Sequence, residues 1–183
     1  MTAQKAITCS RSRAKTVALW SLAAFWAGFI FFMSAHTGTD LDQGNGLAAQ
    51  VKRWLSDLAA PVFGPDADAV SIAAHFMEYA VFGALLFVAL FQLRCHGEVC
   101  HRDRRAAAAG LPGLAHSCPS SVYRRLWLLA LAAIALASLY GASDEFHQLF
   151  VPGRMCDPAD WLTDTCGAAL GAGLAALFTT RHR

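Results

Sequence analysis

Apolar positions in this chain do not alternate with polar ones. They run nearly unbroken over four stretches, about residues 16–33, 70–93, 126–143 and 160–178. Each is close to the ~20 residues needed to cross a ~30 Å hydrocarbon core. Only helices or closed barrels satisfy their backbone in lipid, and runs of this length predict helices. The expected fold is an all-α integral membrane protein with four transmembrane helices in a compact bundle. Between the first two runs, "GLAAQVKRWLSDLAAPVFG" sets Leu47, Val51, Trp54, Leu55 and Leu58 at helical spacing, with Lys52, Arg53 and Asp57 elsewhere on the wheel. This predicts an amphipathic helix on the membrane interface, or one capping the bundle from outside. Residues 94–125, with "AAAAG", "LPG" and "CPSS", show little apolar periodicity and read as a connection without chemistry. The organisation expected is a basic tail, 1–15, followed by one membrane domain, 16–183.

Composition agrees. Hydrophobic residues make up 56% of the chain and charged ones 15%, against roughly a quarter charged in soluble domains. A formal net charge of +2 is too small to argue for a nucleic-acid partner. The charges speak instead to orientation. Lys5, Arg11, Arg13 and Lys15 precede the first run; Arg94, Arg102, Arg104, Arg105, Arg124 and Arg125 lie between the second and third; Arg181 and Arg183 close the chain. Residues 34–69 carry Asp40, Asp42, Asp57, Asp66 and Asp68 against Lys52 and Arg53. By the positive-inside rule both termini are expected in the cytoplasm, in the cell membrane, and the first run is expected to be an uncleaved span rather than a signal peptide. The cysteines, at 9, 95, 100, 118, 156 and 166, form no regular framework. No structural disulfide is expected, and "CHGEVCH" lacks the second pair a zinc site needs.

The ionisable residues inside these runs carry the functional signal. Span two enters from outside near Val70, which puts His75, Glu78 and Tyr79 in its first turns on a shared face. Span three leaves with Tyr140, Asp144, His147 and Gln148 on one face, if the helix continues that far, and Glu145 beside it. Span four starts with Asp157 as an N-cap and Pro158 at the first helical position, followed by Asp160 and Asp164 on a stripe with Gly167 and Gly171. Ser34 and His36 reach the same level from span one. Several carboxylates facing lipid together would cost on the order of 10 kcal/mol, so they are expected to face one another or water near the outer surface. Structural readings stand beside this one. The glycines suit close helix packing, Asp157 and Asp160 can cap a helix and complement its dipole, and His75 with Glu78 can be an interfacial pair.

The motifs "HFMEYAVFG" and "DEFHQLFVPGRMCDPADWLTDTCGAALG" resemble the VanZ-like family, small bacterial membrane proteins named for a member linked to resistance against teicoplanin. The shared elements are an Asp-Glu-x-His-Gln string (Asp144, Glu145, His147, Gln148), a Pro-Gly-Arg turn (Pro152, Gly153, Arg154), Asp160 with the Gly167 and Gly171 stripe, and His75 followed by Tyr79. The resemblance is strong over roughly the last 115 residues and looser over the first span. It implies a multi-pass envelope protein. Three positions depart from the family pattern: Ile72 stands where Lys is usual, Asp164 where Asn is common, and His36 where Gln is usual. The first two make the site more acidic.

Three functions fit these residues. The leading one is recognition of a lipid-linked or glycopeptide-like molecule in an outward-facing polar pocket. Carboxylates would take sugar hydroxyls or a cation, Arg154 a phosphate or carboxylate, and Trp161 a ring. The second is a membrane-embedded metal-dependent hydrolase or transferase with His75, His147 and Asp144 as ligands and Glu145 or Glu78 as base; no HExxH-like string supports it. The third is a small proton-coupled carrier using the acids and histidines as a relay. No cofactor or metal is expected. The expected partners are the bilayer and such a ligand, and the sequence carries no signal for oligomeric state.

Overall fold

The computed structural model describes residues 2–35, 50, 54, 57, 69–110, 120–152 and 154–181. The helices are α1 (Thr2–Ser34), α2 (Ala69–Ala108), the single turn α3 (Ser120–Tyr123), α4 (Leu126–Gln148) and α5 (Pro158–Arg181). Four stretches are long and apolar enough to cross a membrane: Arg13–Ser34, Ile72–Asp103, Leu126–Gln148 and Pro158–Arg181. The protein is an all-α, multi-pass membrane bundle.

The helix ends follow from local chemistry. Pro158 opens α5, where its missing N–H costs nothing, and Asp157 Oδ1 accepts the Ala159 N–H at 2.8 Å as the expected cap. Gly110, at φ 66°, stands just past the last turn of α2 in the left-handed conformation that ends many helices. Within α5, the hydroxyls of Thr163, Thr165 and Thr179 donate to the carbonyls four residues back, so they are paired inside the helix.

Two boundaries differ from the sequence reading. Helix α2 continues past Leu93 to Ala108, because "RCHGEVCHRDRR" holds no proline and its charged residues are compatible with a helix even without an apolar stripe. Helix α4 continues past Ser143 to Gln148, which keeps Asp144 and His147 on a helical framework. The expected interfacial helix lies outside the described residues, except for Gln50, Trp54 and Asp57, which are helical and exposed. His36 lies outside them too. Cys95 is disulfide-bonded, contrary to expectation, while Cys100, Cys156 and Cys166 stand outside any disulfide, Cys100 with its Sγ 3.7 Å from His96 Nδ1. Cysteine spacing along a chain does not reveal which thiols the fold brings together.

Helix α2 is the hub and packs against all three other long helices, most extensively against α5. Aromatic side chains on α2 fill space left by small ones opposite: Tyr79, Phe82 and Phe87 are buried against Ala133 and Ala137 of α4 and Ala168 and Ala172 of α5. The α2–α5 contact is backbone on backbone. A Cβ at Gly167 would strike the Phe76 carbonyl, one at Gly171 the Ala80 carbonyl, and one at Gly83 the backbone of Ala168. Helix α1 joins through a narrow seam of Thr16, Ala23, Ile30 and Ser34 and through hydrogen bonds from Trp26 Nε1 to the Glu78 carbonyl (2.9 Å) and from the Tyr140 hydroxyl to the Ala27 carbonyl (2.7 Å). Large apolar side chains such as Phe25, Leu131, Leu139 and Leu177 point outward, as a lipid-facing surface requires.

Candidate functional site

All four spans deliver polar side chains to the end of the bundle where α1 finishes and α5 begins. Ser34 is the last residue of α1. His75, Glu78 and Tyr79 occupy early turns of α2, Asp144 to Gln148 close α4, and Asp164 sits in the second turn of α5. The buried stripe of α4 runs Ala133, Ala137, Gly141, Asp144, Gln148. The same face that packs the apolar core therefore turns polar toward the C-terminal end of α4.

At the centre, His75 Nδ1 stands 3.4 Å from Asp164 Oδ1, an ion-pair distance without hydrogen-bond alignment. Asp164 is 0% exposed and Asp144 2%. Room for Asp164 comes from Gly141: a Cβ there would lie 3.3 Å from Asp164 Oδ2 and 3.3 Å from the Tyr79 ring. Asp144, nearly one turn on from Gly141, has Ser34, Gln148, His75 and His147 as neighbours. The His147 ring lies against Phe31 of α1, centroids 4.4 Å apart. Tyr79 also abuts Tyr140 and Phe82, so its ring anchors in the aromatic core, and its hydroxyl is buried within the electrostatic reach of Asp164 and Asp144.

Among the described residues, both carboxyl oxygens of Asp144 and of Asp164, the Ser34 and Tyr79 hydroxyls, His75 Nδ1, His147 Nε2 and Arg154 Nε are buried without a hydrogen-bond partner. A buried polar atom left unpaired costs about 1–3 kcal/mol, and native chains rarely tolerate more than a few scattered ones. Here they converge on one place.

Other residues read as site candidates have structural partners. Glu145 accepts from Gln148 Nε2 at 3.1 Å and from the Asp157 N–H at 2.8 Å, which ties α4 to the start of α5. Trp161 donates its Nε1 proton to the Ser138 carbonyl at 3.0 Å, and Ser138 and Thr165 share a 2.9 Å hydrogen bond, so these groups fasten α5 to α4. Asp160 is half-buried and close enough to influence His75; Glu78, also half-buried, lies within electrostatic reach of His75 and Arg154. Arg154 follows the turn after α4, its N–H donating to the Val151 carbonyl at 3.1 Å, and its half-buried side chain directs Nε inward. Among the described residues, no three His, Cys, Asp or Glu side chains converge as a group that could hold a metal ion.

The assembled strings match the pattern of a known group: a sequence model of the VanZ/LLP1 family covers residues 19–179. This chain belongs to the VanZ/LLP1 family. Neither curated proteins nor solved structures offer a match to it. The VanZ/LLP1 match extends well beyond the two quoted motifs and takes in the first span from Leu19, where the resemblance of individual motifs is loose. Sequence reasoning passes over two glycines in this VanZ/LLP1 chain, Gly83 and Gly141. Gly83 lies inside the quoted "HFMEYAVFG", but its partner, the Ala168 backbone, is 85 residues away. Gly141 stands three residues before Asp144 on the same helix face, and that spacing is the one signal that could have found it.

Proposed function

We propose that this VanZ/LLP1 protein is an envelope recognition protein whose outward-facing pocket takes up a polar portion of a lipid-linked or glycopeptide-like molecule. The observation that carries the reading is the convergence of buried, unpartnered polar atoms from all four spans at one end of the bundle. Such atoms lower the stability of the empty protein, and a ligand that pairs them recovers that cost on binding. A pocket at the outer end would lie at headgroup level, where amphiphilic molecules present their polar parts. Arg154 at the rim suits a carboxylate or phosphate, and the carboxyl groups below it suit hydroxyl or amino donors.

The test is a titration of the purified protein with teicoplanin, followed by thermal unfolding, alongside teicoplanin susceptibility of cells expressing it. A saturable rise in Tm, lost in Asp144→Asn, with raised tolerance lost in the same variant, is the expected result. No Tm response together with unchanged susceptibility counts against the reading.

A further inference from the structure

We infer that the buried carboxyl groups of Asp144 and Asp164 receive a protonated amino group of the ligand, with the Tyr79 and Ser34 hydroxyls completing its shell. The inference rests on the recognition reading above and narrows it to a chemical class, a primary ammonium.

Hydrogen-bond capacity leads to it first. The unpartnered atoms of the site are four carboxyl oxygens, which when ionised only accept and offer about eight lone-pair positions, two hydroxyls that donate or accept, and three nitrogens, His75 Nδ1, His147 Nε2 and Arg154 Nε. Acceptor capacity exceeds what those hydroxyl and nitrogen protons can fill, so the set is short of donors. An ammonium supplies three in a compact head, whereas a quaternary amine supplies none and would leave the excess unpaired. Charge gives the same answer. Glu78, Asp144, Glu145, Asp160 and Asp164 gather here, and among the described residues that meet them Arg154 is the permanent cation. Glu145 has hydrogen-bond donors in Gln148 and the Asp157 N–H, and Asp164 has His75 at 3.4 Å, yet the carboxyl groups still outnumber Arg154 and the two histidines, His75 and His147, beside them. A neutral sugar would offer hydroxyl donors but leave that charge buried and unbalanced, which is the costly arrangement.

Position adds the third argument. Asp144 stands four residues before the end of α4 and Asp164 six residues into α5, about 6–9 Å below the helix ends at 1.5 Å per residue. Arg154 lies above them in the connection. A slender amine can descend to that depth while an attached anionic or hydroxylated portion stays beside Arg154. The Tyr79 hydroxyl is an independent witness: its residue is 0% exposed, belongs to α2 rather than to either acid's helix, and has no partner of its own.

Such an amine occurs both on soluble molecules and on lipid headgroups, and one experiment separates the two. The full-length protein is placed in phosphatidylcholine nanodiscs and titrated with glucosamine, with N-acetylglucosamine and choline as neutral and quaternary controls; a parallel sample carries phosphatidylethanolamine in the disc. Saturable stabilisation by glucosamine, or by phosphatidylethanolamine alone, supports the ammonium assignment and names its source. Affinity should fall about 30-fold or more in Asp144→Asn and in Asp164→Asn, the usual consequence of removing one partner of a buried charge pair. Competition on the wild-type protein covers the case in which a variant fails to fold: glucosamine should be displaced by ethanolamine and not by choline. Equal responses to glucosamine and N-acetylglucosamine, displacement by choline, or no response to either amine would overturn the assignment. A surviving response to teicoplanin in that last case would leave the recognition reading intact, whereas loss of both would remove it as well.

Discussion

Asp144 and Asp164 are nearly or wholly inaccessible, yet none of their four carboxyl oxygens has a hydrogen-bond partner among the described residues. That combination predicts an uncommon mutational signature. Neutralising a buried, unpaired charge relieves a desolvation cost, so Asp144→Asn should leave the unfolding temperature of the detergent-extracted protein equal to wild type, or raise its stability by about 1 kcal/mol. Binding and the envelope phenotype should be lost at the same time. Arg154→Lys keeps charge but removes the planar fork, and should behave alike. A marked drop in stability with activity retained would identify the group as a structural network. Glu145 should do the opposite. It accepts two hydrogen bonds that hold the α4–α5 connection, so Glu145→Ala should lower stability by about 1–3 kcal/mol, read as a fall in Tm, whether or not a ligand binds. The sequence makes Asp144, Asp164 and His75 legible as one cluster, because the cost of charge in lipid requires convergence. It cannot separate Glu145 from them, since the partner that fixes Glu145, the Asp157 backbone, lies twelve residues away across a turn.

Helices α2 and α5 meet through carbonyls of one facing glycines of the other, which brings His75 within reach of Asp164. Replacing Gly171 should therefore act on the pair of helices. Gly171→Leu must displace the Ala80 backbone and should cost about 1–3 kcal/mol or more. A Cβ at Gly173, two residues on, would meet nothing within 4 Å, and Gly173→Ala should be neutral or slightly stabilising. Thermal unfolding of the two variants side by side checks the register directly; equal losses would mean that α5 is rotated from the face described. The small-residue stripe on α5 is plain in the sequence because Gly167 and Gly171 recur at helical spacing. Its partner helix is not, because α2 offers backbone rather than a matching motif. The length of α2 escapes for a related reason: its extension to Ala108 is held by helix propensity without the apolar run that marks a span.

At the scale of the whole molecule the polar site and the arginines occupy opposite ends of the bundle. Arg94, Arg102, Arg105, Arg124 and Arg125 lie at the far end of α2 and the near end of α4, whereas Ser34, His75, Asp144 and Asp164 lie at the other. Arginine resists translocation, and by the positive-inside rule we propose that the first group is cytoplasmic and the site faces outward. The prediction is that, on a cysteine-free background, a membrane-impermeant maleimide added to intact cells labels Met155→Cys, which is 83% exposed in the α4–α5 connection, and spares Ala109→Cys, exposed at the end of α2, until the membrane is opened. Labelling of Ala109→Cys from outside would invert the molecule and turn the acidic site to the cytoplasm, where an outer-leaflet ligand could not reach it.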